Sequence, residues 1–340
     1  METAVSSVGQ FAMTDSEQVV AAGPNGLFYF RRVQYHAATP WSESRPFPSV
    51  GVTLNDLTVS GLALYSGNDP KGKSPLYLYC VSGGVLYSFY LPDIDDSSFL
   101  PATSPPLAGC RITGTPTVVR SGYTPDCGEQ WSLVVPCQSG GLLHTSATYP
   151  TSYYHSVTIR WEAVDHLATD LGIIPAVSVT AVYNYFGNSK TALVAVCISK
   201  GKLNVVQGSF CSNKWAGKTS TRILHPGEVT GNPVLITDDT CSSRPQLDLL
   251  VPSAEGGIFH FVRTFPAPDW HMIGRVAFPQ NIPPASCLSF HSWRSIYEER
   301  KLYALVQIGG RLYHVKTTND RLPWLNSRLY PIVQPGPFFD

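Results

Sequence analysis

A sixfold internal repeat constrains this chain more than any other feature of its sequence. The segments "VVAAGPNGLFYFRR", "LYLYCVSGGVLYSFY", "WSLVVPCQSGGLLHTS", "ALVAVCISKGKLNVVQ", "LDLLVPSAEGGIFHFVR" and "LYALVQIGGRLYHVK" each read as an apolar strand, a glycine turn and a second, alternating strand. The turn glycines Gly26, Gly84, Gly141, Gly201, Gly257 and Gly310 follow one another at intervals of 58, 57, 60, 56 and 53 residues, so one unit fills the chain. Another candidate strand precedes each hairpin, as in "SGLALYS", "PTVVRSG" and "NPVLITDD". A polar stretch follows it, usually with a tryptophan: Trp41, Trp161, Trp215, Trp270 and Trp324.

Four antiparallel strands in about 50 residues cannot bury both faces of their own sheet, whereas radial stacking of such sheets buries them all. The repeat therefore predicts an all-β, six-bladed β-propeller with four antiparallel strands per blade and a central channel. The blades fall at approximately 4–50, 57–106, 114–166, 176–226, 230–280 and 284–336, in a single domain. The periodic tryptophans are expected to pack on outer strands rather than to serve as ligand platforms.

Composition narrows the partners. The 340 residues are 43% hydrophobic and only 14% charged, with 24 basic and 24 acidic side chains, so the net charge is zero. No electrostatic footprint for nucleic acid or an anionic membrane is present. No apolar run reaches the roughly 18 to 20 residues that span a bilayer, and "METAVSSVGQ" lacks the basic and apolar regions of a signal peptide. The expectation is a cytoplasmic protein with no nucleic-acid and no membrane partner.

Familiar motifs dissolve in this context. Gly67, Gly72, Lys73 and Ser74 spell a phosphate-binding loop, but Pro75 and a strand follow where a helix is needed, so the segment reads as a solvated turn. Asp93, Asp95 and Asp96 lack the glycine and distal glutamate of a calcium loop and read as a connecting loop. Cys80, Cys137 and Cys197 recur at one place in successive blades, too far apart for disulfides, and read as small buried residues. No cysteine or histidine spacing suits zinc; His144, His260 and His314 recur one per blade and read as packing residues with polar tips. No metal and no cofactor is expected.

Candidate functional residues come from the first strand of each unit, whose end faces the channel mouth. Alignment puts Met13, Tyr65, Arg120, Tyr183, Thr237 and Phe290 at one level, with Asp238 and His291 at the next and Tyr185 and Trp293 beyond. Equivalent positions carry different chemistry. A multivalent sugar binder gains avidity by repeating its contacts, whereas one asymmetric pocket with a few convergent polar groups suits this heterogeneity.

The sequence of strand, glycine turn, His/Tyr-bearing strand, Arg and later Trp, clearest in "LLVPSAEGGIFHFVRTFPAPDW" and "VVAAGPNGLFYFRRVQYHAATPW", resembles a group of microbial lectin-like six-bladed propellers. The same architecture resembles fungal cofactor-free Diels–Alderases and hetero-Diels–Alderases that act on polyketide or terpenoid intermediates in meroterpenoid biosynthesis. The second resemblance implies a cyclase that holds one hydrophobic, oxygenated small-molecule substrate in its channel and needs neither metal nor cofactor. In such a site Arg120, Tyr65, Tyr183 and His291 donate hydrogen bonds, Asp238 orients His291 or accepts a proton, and Met13, Phe290, Trp293, Tyr185 and Thr237 line the substrate. The first resemblance implies the alternative, a carbohydrate-binding lectin with degenerate sites between blades. A non-catalytic scaffold for protein contacts is a third possibility open to this fold.

Overall fold

The computed structural model describes residues 10–14, 18–23, 26–32, 42, 45–46, 59–66, 75–91, 100–102, 105–107, 109–124, 128–149, 159–183, 191–211, 214–224, 227–238, 245–276, 283–293, 301–316 and 330–331. It forms six antiparallel sheets, each built from consecutive strands ordered from the axis outward. The inner strands are Phe11–Met13, Val59–Ser66, Thr117–Thr124, Ala176–Tyr183, Val234–Asp238 and Ala285–Trp293. Each contacts the inner strand of the next blade, and the sixth contacts the first, so the ring is closed. The closure needs no exchanged strand: Tyr330–Pro331 pairs with the third strand of blade six as its outer edge, and Phe11–Met13 belongs wholly to blade one.

The glycine turns fall where the period places them. Gly26, Gly84, Gly141, Gly201, Gly257 and Gly310 all have positive φ, from 69° to 113°, a backbone region that glycine enters without a Cβ clash. Five blades have four strands; in blade three the outer position is divided between Arg160–Trp161 and Asp165–Leu167, giving five where four were expected.

The core is distributed over six interfaces between blades rather than gathered at one centre. Along the second strand of blade two, Leu76, Leu78 and Cys80 pack on blade one, while Tyr77, Tyr79 and Val81 pack on blade three. Blade four repeats the pattern, with Leu193, Ala195 and Cys197 facing blade three and Val194, Val196 and Ile198 facing blade five. Period-two alternation with both faces apolar is what a strand buried on two sides requires. Each such leucine or valine contributes about 1.5–3 kcal/mol of transfer free energy.

Cys80, Cys110, Cys137 and Cys197 are free thiols, and Cys80, Cys137 and Cys197 are buried. Burial pushes the thiols of Cys80 and Cys197 up to about 12. His144 and His260 are buried as well, hydrogen-bonded to Ser132 at 3.2 Å and Asp248 at 2.8 Å within their own blades. Trp161 lies in the outer strand of blade three and Trp215 in that of blade four, as the periodic tryptophans predict; Trp270 directly precedes the outer strand of blade five, and Trp41 and Trp324 lie outside the described residues.

Candidate functional site at the interface of blades two and three

The two ends of the channel differ. Where the inner strands begin, the Asn232 side chain of blade five donates through Nδ2 to Gln10 Oε1 of blade one at 3.1 Å and to Thr115 Oγ1 of blade three at 2.9 Å. An atom held at once by three alternate blades of a sixfold ring sits on the axis. The backbones crowd here too: a Cβ on Gly61 of blade two would lie 2.7 Å from Thr115 Cα of blade three, so only glycine fits. The starting end of the channel is thus occupied by protein.

Further along, hydroxyls stitch neighbouring inner strands together. Ser178 Oγ accepts from Leu235 N at 2.9 Å, and Thr180 and Thr237 share a hydrogen bond of 2.7 Å between blades four and five. Thr237 also donates to Ala181 O at 3.2 Å. Thr237 thus joins the inner strands of blades four and five.

At the finishing end, Tyr65 and Arg120 come together, and the reason is a flipped face. Met13 packs into the interface with the preceding blade, six, and Thr237 likewise bonds to the blade before its own. Tyr65 faces the following blade, against Trp131. The pairing of its strand shifts between Val59 and Gly61, and a slip of one residue turns a strand's side chains to the other face. Tyr65 and Arg120, which perfect sixfold register would put in different interfaces, converge on the same one.

Glu129 joins them. Its Oε2 accepts the Tyr65 hydroxyl at 3.2 Å, and its Oε1 lies 3.5 Å from Arg120 Nε. The glutamate is buried, with 5% of its side chain exposed, whereas the Arg120 side chain is 42% exposed, so the pair presents its cationic side outward. Glu129 and Trp131 are two apart on one strand and share its face; Trp131 stands opposite Arg120, and the register shifts between Gln130 and Trp131. Such a bulge re-aims side chains at the rim of a sheet. Below the charged pair lies an aromatic seam. Trp131, fully buried, has ring centroids 4.5 Å from both Tyr65 and Tyr77, and Tyr77 stands 4.9 Å from Tyr90. Deeper in the interface Tyr79 Oη and Ser88 Oγ are buried with no hydrogen-bond partner among the described residues, and burial pushes the Tyr79 phenol upward.

The remaining candidates are placed only in part. Tyr183 and Asp238 end the inner strands of blades four and five, and Phe290, His291 and Trp293 lie in that of blade six. Tyr185 lies outside the described residues, as do the loop bearing Gly67, Gly72, Lys73 and Ser74 and the acidic residues Asp93, Asp95 and Asp96. Arg120 pairs with Glu129 within blade three. Glu129 lies two residues ahead of the run "WSLVVPCQSGG" that announces the strand; the alternation E-Q-W-S-L, with Glu and Trp in phase, is the signal in the sequence that it belongs to the same strand. Among the described residues no group of three or more His, Cys, Asp or Glu gathers as metal ligands would.

Comparison with solved structures agrees with this architecture. The fucose-specific lectin of Aleuria aurantia superposes with a TM-score of 0.62 at 12% identity, covering 98% of both chains. A mutant of the same lectin in complex with Fucα1-6GlcNAc gives 0.61 at 11% identity, again over 98% of each chain. A triple arginine-to-alanine mutant of AofleA from Arthrobotrys oligospora gives 0.61 at 10% identity, over 97% of this chain and 88% of that one. The fold is theirs. No protein-family model and no curated protein matches the sequence.

Proposed function

We propose that the protein is a lectin-like propeller that binds a carbohydrate at one site, the mouth of the interface between blades two and three. The constellation of Tyr65, Arg120 and Glu129 carries this reading. A pair of adjacent sugar hydroxyls both donates and accepts hydrogen bonds; an arginine and a carboxylate 3.5 Å apart offer the matching acceptor and donor side by side. The Tyr65 ring supplies a face for the apolar side of a sugar ring. The fold shared with fucose-binding lectins supports the ligand class. One site rather than six follows from the loss of repetition: where blade three sets Arg120 opposite Trp131, blade one sets Met13 opposite Val19 and blade five sets Thr237 opposite Leu247.

Glycan-array screening followed by calorimetric titration tests this. The expected outcome is saturable binding of about one sugar per chain, lost in Arg120→Met. Several equivalent sites per chain, or binding unmoved by that substitution, contradicts it.

A second reading draws support from the occupied starting end of the axis. A channel plugged by Asn232 leaves a single mouth, and a single mouth with mixed lining suits a cofactor-independent cyclase acting by cycloaddition. There Arg120 would donate to a substrate carbonyl, lowering the barrier by polarisation and by holding the reacting partners together. Turnover of a hydrophobic polyene or quinone-methide-like compound by the purified chain, abolished in Arg120→Met, would support this reading, and sugar binding without any such turnover would remove it.

A further inference from the structure

Arg263 lies next to the end of the third strand of blade five, Ile258–Thr264, with only 2% of its surface exposed. Its Nε donates to Ala267 O at 2.6 Å, and its Nη2 donates to Gln207 Oε1 of blade four at 2.7 Å. Its Cζ lies 5.5 Å from the centroid of Phe265 and 5.6 Å from that of Trp270, so two aromatic rings flank the guanidinium. Both hydrogen-bond acceptors are neutral. None of the ion pairs among the described residues includes Arg263. Asp269, six residues further on, is exposed, and no ion pair joins it to Arg263. The buried indole N–H of Trp270 also lacks an acceptor.

This is an expensive arrangement. Withdrawing a cation from water without a counter-charge costs several kcal/mol, and an aromatic face returns about 2 kcal/mol at best. Desolvation accordingly lowers the pKa of the guanidinium. Arginine carries five N–H donors in a planar fork, two of which are engaged here, and the fork matches a carboxylate bidentately. Among the described residues, no anion pairs with this guanidinium.

We propose that the interface of blades four and five is an oxyanion site, at which Arg263 takes the carboxylate of a small ligand between the walls formed by Phe265 and Trp270. The site is separate from the Tyr65–Arg120–Glu129 cluster and does not rest on that cluster's ligand.

The test is calorimetric titration and thermal unfolding of the full chain with sodium glucuronate, sodium acetate or glucose, at ionic strength held constant with sodium chloride. Glucuronate is expected to bind one to one at this interface and raise Tm, and glucose is not. Acetate binding as well shows that the carboxylate alone suffices; glucuronate without acetate shows that the ring is also read; either upholds the proposal. Two variants locate the site. Arg263→Met replaces the cation with an apolar side chain that the aromatic walls accept. Gln207→Glu keeps the arginine and supplies an internal carboxylate at the position now 2.7 Å from Nη2. Both are expected to weaken glucuronate binding at least tenfold, and Gln207→Glu to raise Tm in the absence of ligand. Failure of the wild-type chain to bind either carboxylate overturns the proposal. So does binding that persists in both variants, or that disappears in Glu129→Gln instead.

Discussion

Replacing Glu129 by glutamine separates a binding carboxylate from a structural brace. The substitution preserves volume, so no cavity term enters. The ion pair with Arg120 is worth little to folding, because the arginine side chain is 42% exposed and such pairs contribute about 0–1 kcal/mol. The Tyr65 hydroxyl keeps an oxygen to donate to, losing only the charge assistance of its 3.2 Å bond, about 1 kcal/mol. The expected loss of stability is therefore about 1 kcal/mol, read as a small shift of the urea midpoint at unchanged slope. Ligand binding loses much more. A carboxylate that accepts from a sugar hydroxyl contributes about 1.5–3 kcal/mol, equivalent to a roughly ten- to hundredfold weaker Kd by calorimetry. A fall in stability beyond about 3 kcal/mol with affinity unchanged would show that Glu129 only braces the two blades, and the reasoning would fail.

Other expectations follow from the same structure. Trp131→Ala, at a fully buried position packed on Tyr65 and Tyr77, should cost about 3–5 kcal/mol in urea unfolding; a cost under 1 kcal/mol would mean that the seam is not packed as described. Asn232→Ala should cost about 1–3 kcal/mol, because Gln10 and Thr115 lose their shared donor on the axis, and Asn232→Asp should not restore it. Native protein at pH 8 should resist iodoacetamide at Cys80 and Cys197, as peptide mass spectrometry would show, with labelling appearing only after unfolding. These thiols also set an alkaline slope. Their folded values, about 12, exceed the ordinary 9.0, so the unfolded chain releases its protons first; stability present below pH 9.0 falls as pH climbs toward 12, and Cys197→Ala should flatten that fall.

The architecture was legible in the sequence because the repeat is imposed by geometry. Each of the six turns sets a glycine at positive φ, and each second strand must be apolar on both faces, so Gly84 or the run Leu76–Ser82 announces its place wherever it recurs. The candidate site was legible only in part. Tyr65 and Arg120 were named, but their meeting depends on register shifts near Gly61 and Gln130, and a slip of one residue leaves no compositional trace. The bonds Thr237 makes to blade four carry no mark in the sequence, because a fastening hydroxyl and a binding hydroxyl are the same chemistry there. Asn232 closes the axis through partners 222 and 117 residues away, a separation that no local pattern encodes. Arg263 reads in sequence as an ordinary basic residue near a strand end; that no ion pair among the described residues includes it is a property of the packed interface alone.

The most direct measurement of the central claim is a crystal structure of the chain soaked with a glycan that it binds in solution. One sugar per chain seated against Tyr65, Arg120 and Glu129, with the other five interfaces empty of that sugar, is the predicted result. Equivalent sugars between several pairs of blades, or a ligand on the axis remote from blades two and three, would contradict it.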